Sequence, residues 1–172
     1  MWLSNQNPND DAKRPTRRLV LLGIGALPLV GCGFEPALGT DGTLGTLRNR
    51  IRLDDPNDRN AFTLKSAFED RIGSGSDFGL SYQITTKLRD IGITPERVIT
   101  GQQIEGSVAF TLTDLSTGAN LISDTVTGFT SFGTTGTTAS TAFANEAAID
   151  RLMIILAEQM IRRLALIQRI PT

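Results

Sequence analysis

The chain has 172 residues, with 17 basic and 18 acidic side chains, no histidine and a single cysteine. So even a balance argues against nucleic acid as a partner, because counterion release needs a basic face. The lack of histidine excludes a Ser–His–Asp hydrolase, a zinc hydrolase with His ligands and a pH switch near neutrality.

The single cysteine sits at a telling place. Lys13, Arg14, Arg17 and Arg18 precede an apolar run from Leu19 to Val30, and the run ends at Gly31-Cys32. A basic start, a short apolar stretch and a small residue before the cut describe a bacterial signal peptide. The run is too short to span a bilayer as a mature helix. Leu29-Val30-Gly31-Cys32 has the form of a lipobox: an apolar residue, a small or β-branched one, Gly or Ala, then Cys. The thiol is needed there to form a thioether to diacylglycerol before cleavage between Gly31 and Cys32. Thr16-Arg17-Arg18-Leu19 partly resembles a twin-arginine export motif, but ordinary basic anchoring of a general secretory signal is the simpler reading.

Removal of residues 1–31 would take away four basic and two acidic side chains and move the net charge from −1 to −3. The remainder, with Cys32 lipidated, holds no thiol for a disulfide or a Cys-based metal site. Residues 32–46 contain Pro36 and four glycines, at 33, 39, 42 and 45. They read as a lipidated tether that spans roughly 20 Å as a coil. Residues 47–170 read as a single α/β domain, long enough for a real core.

Within that domain, residues 47–53 alternate. Leu47, Ile51 and Leu53 fall on one face and Arg48, Arg50 and Arg52 on the other, which predicts a half-buried strand. Asp54 to Asp58 form a turn, and Asp58 or Asn60 caps a helix with Ala61, Leu64, Phe68 and Ile72 on one stripe and Gly73 as its stop. Leu80 to Leu88 alternate again, opposed by Ser81, Gln83, Thr85, Lys87 and Arg89, and the segment from Ile91 to Pro95 is irregular. Val98 to Thr113 predict a long strand with Ile104, Val108, Phe110 and Leu112 inward, closed by a turn at Asp114 to Gly118. Leu121 to Phe132 pair back, with a bulge near Gly128, because the apolar residues change face between Val126 and Phe129. Ser140 or Thr141 caps a last helix about 38 Å long, with a stripe of Phe143, Ala147, Leu152, Leu156, Met160 and Leu164.

The order β-α-β-β-β-α implies an α+β fold. It is a two-layer sandwich in which one four-stranded, mostly antiparallel sheet carries both helices on one face. The other face of the sheet is expected to be polar and open.

Several stretches resemble one family. Cys32-Gly33-Phe34-Glu35-Pro36 is similar to the mature start of alphaproteobacterial LPS-assembly lipoproteins, the LptE family. Arg97-Val98, the strand Gly106 to Leu112, Thr113-Asp114 and Thr117-Gly118 resemble its central hairpin. Thr130-Ser131-Phe132 and Thr135-Gly136 resemble its return strand, and Ala147 to Leu152, Leu156 to Met160 and Arg163-Leu164 its last helix. The resemblance covers most of residues 32–166 and rests on order and spacing together.

The resemblance implies an outer-membrane lipoprotein on the periplasmic face. Gly33, where an Asp would mark retention in the inner membrane, agrees. Its partners are then the β-barrel LPS-assembly protein LptD, which it plugs and helps to assemble, and lipopolysaccharide. Apart from the covalent diacylglycerol and N-acyl chain on Cys32, no cofactor is expected. Several acyl chains anchor far more firmly than one.

One binding hypothesis follows from charge. If the first two strands are neighbours, Arg48, Arg50, Arg52, Lys87 and Arg89 converge and can bind lipid A phosphates, which Arg holds in a bidentate way. A solvated or edge-protecting strand face is the plainer reading of any one of them. No enzyme is expected. The two alternatives are a lipoprotein subunit of another envelope lipid-transport complex and, more remotely, a glycan hydrolase. The hydrolase would use two of the carboxylates Asp54, Asp55, Glu69, Asp70, Asp114 and Asp124.

Overall fold

The computed structural model describes residues 43–166. The signal segment, Gly31, Cys32 and the tether as far as residue 42 lie outside the described residues, as do residues 167–172.

The described chain forms a short helix α1 (Thr43–Leu47), β1 (Ile51–Leu53), α2 (Arg59–Ile72), β2 (Phe78–Ile93), β3 (Ile99–Asp114), β4 (Asn120–Gly133) and α3 (Thr138–Ala165). The strands make one sheet in the order β1-β2-β3-β4. β1 lies parallel to β2, with Ile51 opposite Phe78 and Leu53 opposite Leu80, and the other two pairings are antiparallel. A parallel neighbour needs a crossover, and α2 supplies it. α2 and α3 cover one face of the sheet, so the α+β two-layer expectation holds.

The covered face follows the period of two. Phe78 and Leu80 of β2, Ile104, Val108, Phe110 and Leu112 of β3, and Val126 and Phe132 of β4 are buried. Leu152, Leu156, Met160 and Leu164 of α3 and Leu64, Phe68 and Ile72 of α2 close over them. What brings α3 down onto the sheet is a missing pair of side chains. Gly106 and Gly128 are direct cross-strand partners. A Cβ at Gly106 would stand 2.9 Å from Leu152 Cδ2 and 3.0 Å from Leu156 Cδ1, and one at Gly128 3.3 Å from Ile155 Cγ2. Beside them, the Thr130 hydroxyl donates to the Ala148 carbonyl at 2.9 Å, a further tie between β4 and α3.

Both long helices begin on caps. Asp58 accepts from the Ala61 N–H at 2.7 Å, and the Thr137 hydroxyl accepts from the Ser140 N–H at 3.2 Å. Gly73 ends α2 at φ 82°, in the left-handed region, and donates its N–H to Glu69 at 2.7 Å. α3 has 28 residues, about 42 Å at 1.5 Å per residue. No described helix is long and apolar enough to cross a membrane.

Four local expectations are corrected. The alternating segment 47–53 is a strand only over Ile51–Leu53. Leu47 ends α1 and Asn49 turns the chain at φ 57°, yet Leu47 remains fully buried. A helix end followed by a left-handed Asn mimics strand alternation. Second, β2 runs on to Ile93 instead of breaking at Ile91, with Gly92 at φ 66° and its carbonyl bonded by the Thr100 hydroxyl.

Third, the bulge lies at Leu121, between the pairs Leu112–Ile122 and Thr113–Asn120, and the register through Gly128 is continuous. Phe129 simply points to the open face. Fourth, the cap of α3 is Thr137, and Phe143 and Ala147 are exposed, while Ala148, Met153, Ala157 and Ile161 are buried. Phe143 shares a helix face with Asp150 and Ile161, the face that α2 covers. α2 begins beside Glu146 and Asp150, where Arg59 pairs with both at 3.5 and 3.3 Å, so Phe143 stands past its end.

Asp114 closes β3 almost wholly buried. Its Oδ1 accepts from the Ser116 hydroxyl at 2.6 Å, the Ser116 N–H at 2.8 Å and the Thr117 N–H at 3.2 Å. The bonds from Ser116, with help from Thr117, hold the carboxyl below its ordinary value of 3.8.

Two outcomes are expected. Gly106→Val should lower the unfolding free energy by about 1–3 kcal/mol through overpacking against Leu152 and Leu156, measured by urea titration. Asp114→Asn should be less stable than the parent at pH 7, and the gap between their urea midpoints should close in acid. A depressed native pKa contributes stability that is full above the unfolded value and lost as pH falls through the native one.

Candidate interaction face

The face of the sheet away from the helices carries no second layer among the described residues. The period of two sends Ser81, Gln83, Thr85, Lys87 and Arg89 of β2 to it. From β3 come Gln103, Glu105, Ser107, Ala109, Thr111 and Thr113, and from β4 Ser123, Thr125, Thr127, Phe129 and Ser131. Hydroxyls dominate. Thr111 and Ser123 share a hydrogen bond at 2.9 Å, and the Thr113 hydroxyl donates to Asn120 at 3.0 Å.

Two shallow depressions mark this face. One, of about 460 Å³, has Ala109 among Ser81, Gln83, Thr111, Ser123 and Thr125. The other, of about 610 Å³, lies where Lys87, Glu105, Ser107, Thr127 and the exposed ring of Phe129 meet, and it reaches Ile155 and Gln159 of α3. Both offer hydroxyl, amide and a few charged groups, which suits a wet contact with many weak hydrogen bonds.

The five cations proposed to converge do not do so. β1 is three residues long and pairs only with Phe78 to Leu80. Arg52 shares the open face with Lys87 and Arg89, but its partner is Gly79. Lys87 and Arg89 lie eight and ten positions further on, more than about 25 Å away at 3.3 Å per residue. Arg48 is exposed in the loop before β1. Arg50 is structurally engaged: its Nε donates to Asp77 at 2.6 Å, its Nη1 to the Thr46 carbonyl at 3.2 Å, and its guanidinium lies 5.0 Å from the centre of the Phe78 ring. Arg89 pairs with Glu105 at 3.2 Å, and Lys87 stands opposite the same Glu105. Two separate, partly neutralised groups replace one cluster.

Three of the carboxylates are similarly occupied. Asp114 is held in its turn, Asp124 pairs with Arg163 at 3.4 Å, and Asp55 pairs with Lys65 at 3.1 Å. The buried Tyr82 hydroxyl lacks a partner among the described residues and lies on the helix side of the sheet. Burial raises its pKa, and Asp54, Asp58, Asp55 and Glu69 raise it further.

Sequence reasoning missed the outward aromatic Phe129. Its parity relative to Val126 was the available signal, since residues three apart in a strand face opposite ways. It also missed the anchoring of Arg50, for which periodicity holds no signal.

Arg50→Ala is therefore expected to lower the unfolding free energy by roughly 1 kcal/mol, through loss of the ion pair and the ring contact. Lys87→Ala should stay within about 0.5 kcal/mol of the parent, as surface changes away from such features do. Urea titration of the two variants checks both.

No family model and no curated protein matches the sequence. Solved structures do. A candidate lipoprotein from Caulobacter crescentus CB15 is 17% identical with a TM-score of 0.58, over 72% of this chain and 92% of that one. Rare lipoprotein B from Shewanella oneidensis is 10% identical with a TM-score of 0.52, over 67% and 92%. A minor lipoprotein from Acinetobacter baumannii is 16% identical with a TM-score of 0.52, over 69% and 90%. At these identities the likeness carries the fold. The described sheet and helices have the architecture of this group of bacterial lipoproteins.

Proposed function

We propose that this chain is an outer-membrane lipoprotein of the LptE type, anchored through acyl chains on Cys32. In this reading it seats within the β-barrel LptD, helps that barrel to assemble and aids delivery of lipopolysaccharide to the outer leaflet. The observation that carries it is a coincidence of two independent features. The N-terminal segment holds the lipobox Leu29-Val30-Gly31-Cys32, and the domain behind it has a fold otherwise met in bacterial lipoproteins.

The open face supports the same reading. A large barrel has a polar lumen. A sheet face made mostly of Ser, Thr and Gln can meet such a wall through many hydrogen bonds. The arrangement works by shape and hydrogen bonding, with no chemical step assigned to any side chain.

Three measurements test it. Mass spectrometry of the protein extracted from membranes should find Cys32 as the first residue, bearing diacylglycerol and an N-acyl chain. Cys32→Ala should leave the outer-membrane fraction. Photo-crosslinkers at Ser81, Thr111 and Thr125 should capture the LPS-assembly barrel. Capture of a different envelope transporter there would assign the chain to that machine instead, and an uncut precursor would remove the anchor.

A further inference from the structure

The two long edges of the sheet are built differently. On the β2 side, β1 covers Phe78 to Leu80, and the stretch beyond carries Lys87, Arg89 and Asp90. Charged residues of that kind keep an exposed edge from pairing with another chain. On the other side, among the described residues, β4 is an edge strand along all 14 residues. It has no proline, and its one charged residue, Asp124, is paired with Arg163 at 3.4 Å. A long, nearly uncharged edge is a template for another strand.

The backbone of β4 is ready to be paired. The Thr134 N–H bonds the Thr100 carbonyl of β3 at 3.1 Å, while the Thr125 N–H turns to the Asp124 side chain at 2.7 Å. Antiparallel bonding alternates along a strand, so even residues of β4 bond β3 and odd ones present their N–H and C=O outward. The N–H and C=O groups of Thr127, Phe129 and Ser131 then form the free row, while the Thr125 N–H is taken by Asp124.

The sequence of that row selects its occupant. About Phe129, residues 125–133 read Thr-Val-Thr-Gly-Phe-Thr-Ser-Phe-Gly, and two of the four mirror pairs keep their chemical type. Thr127 mirrors Ser131, Val126 mirrors Phe132, and Phe129 mirrors itself. We propose that β4 pairs antiparallel with β4 of a second copy of this chain, about a two-fold axis at Phe129. Such a contact is isologous and closes at two. In this register Phe129 faces Phe129 of the second copy, and Thr127 faces Ser131. Only outward-pointing backbone groups are used, as an antiparallel ladder requires. Phe129 is 66% exposed in the single chain, and an aromatic pair across the joint covers it. The pairing does not depend on the role proposed above.

Cysteine crosslinking of the full-length chain in its own membranes tests this register. An outward-bonded antiparallel pair has its Cα atoms about 5.5 Å apart, within the roughly 4.4–6.8 Å a disulfide accepts. Under mild oxidation Phe129→Cys should give a species of twice the monomer mass, above any in the parent chain. Ser131→Cys alone should not, but Thr127→Cys and Ser131→Cys expressed together should crosslink to each other. Thr127→Pro added to Phe129→Cys should abolish the product, since the Thr127 N–H bonds nothing in β3. Thr127→Lys serves the same purpose should proline disturb folding. No dimer from Phe129→Cys would overturn the proposal, and so would equal dimer from Lys87→Cys on the guarded edge. A crosslink to a protein of other mass with no dimer would likewise overturn it and give the edge to a different polypeptide.

Discussion

The closeness of α3 to the sheet sets the rest of this structure. It rests on two residues with no side chain, Gly106 and Gly128, placed opposite each other in neighbouring strands. Leu152 and Leu156 fill the space a pair of Cβ atoms would take. With α3 seated there, α2 has a wall to pack against, joined by the pairs Arg59–Asp150 and Arg71–Glu158. α1 packs on α3 as well and buries Leu44 and Leu47. Every described helix thus collects on one side of the sheet. The far side is left to water, and its residues are the ones that water suits.

Much of this layout is legible in the residues because burial imposes a period on them. Ile104, Val108, Phe110 and Leu112 repeat every second position or a multiple of it, and Ala61, Leu64, Phe68 and Ile72 repeat as a helix does. The caps Asp58 and Gly73 are local chemistry and read equally well. What escapes is whatever depends on partners distant in sequence. Residues 47–53 look like one strand because a period of two cannot tell a strand from a helix end beside a left-handed Asn. The assembly of Arg52 with Lys87 failed on register: nothing in either segment says that β1 meets only the first three residues of β2. Arg50 is committed to Asp77, 27 positions away, and no pattern announces that.

The open face combines two properties. It is broad, with three strands of 14 to 16 residues, and hydroxyls outnumber charges on it, with Arg89 paired to Glu105. Hydroxyls that already bond one another, such as Thr111 and Ser123, lose little when water leaves. A surface of that type suits a polar wall better than an apolar pocket or a highly charged ligand.

The shortness of β1 bears on mechanics. Any pull that reaches the domain from its N-terminal side arrives at Thr43, and from there passes into α1 and then β1. β1 holds its parallel neighbour over only three residue pairs, backed by the Arg50–Asp77 contact. Beneath it, β2 and β3 are pinned to each other from Phe78–Asp114 to Ile93–Ile99. A force entering there would therefore open the three β1–β2 pairs before the long β2–β3 ladder, and the entry segment would yield as a mechanical fuse ahead of the hairpin.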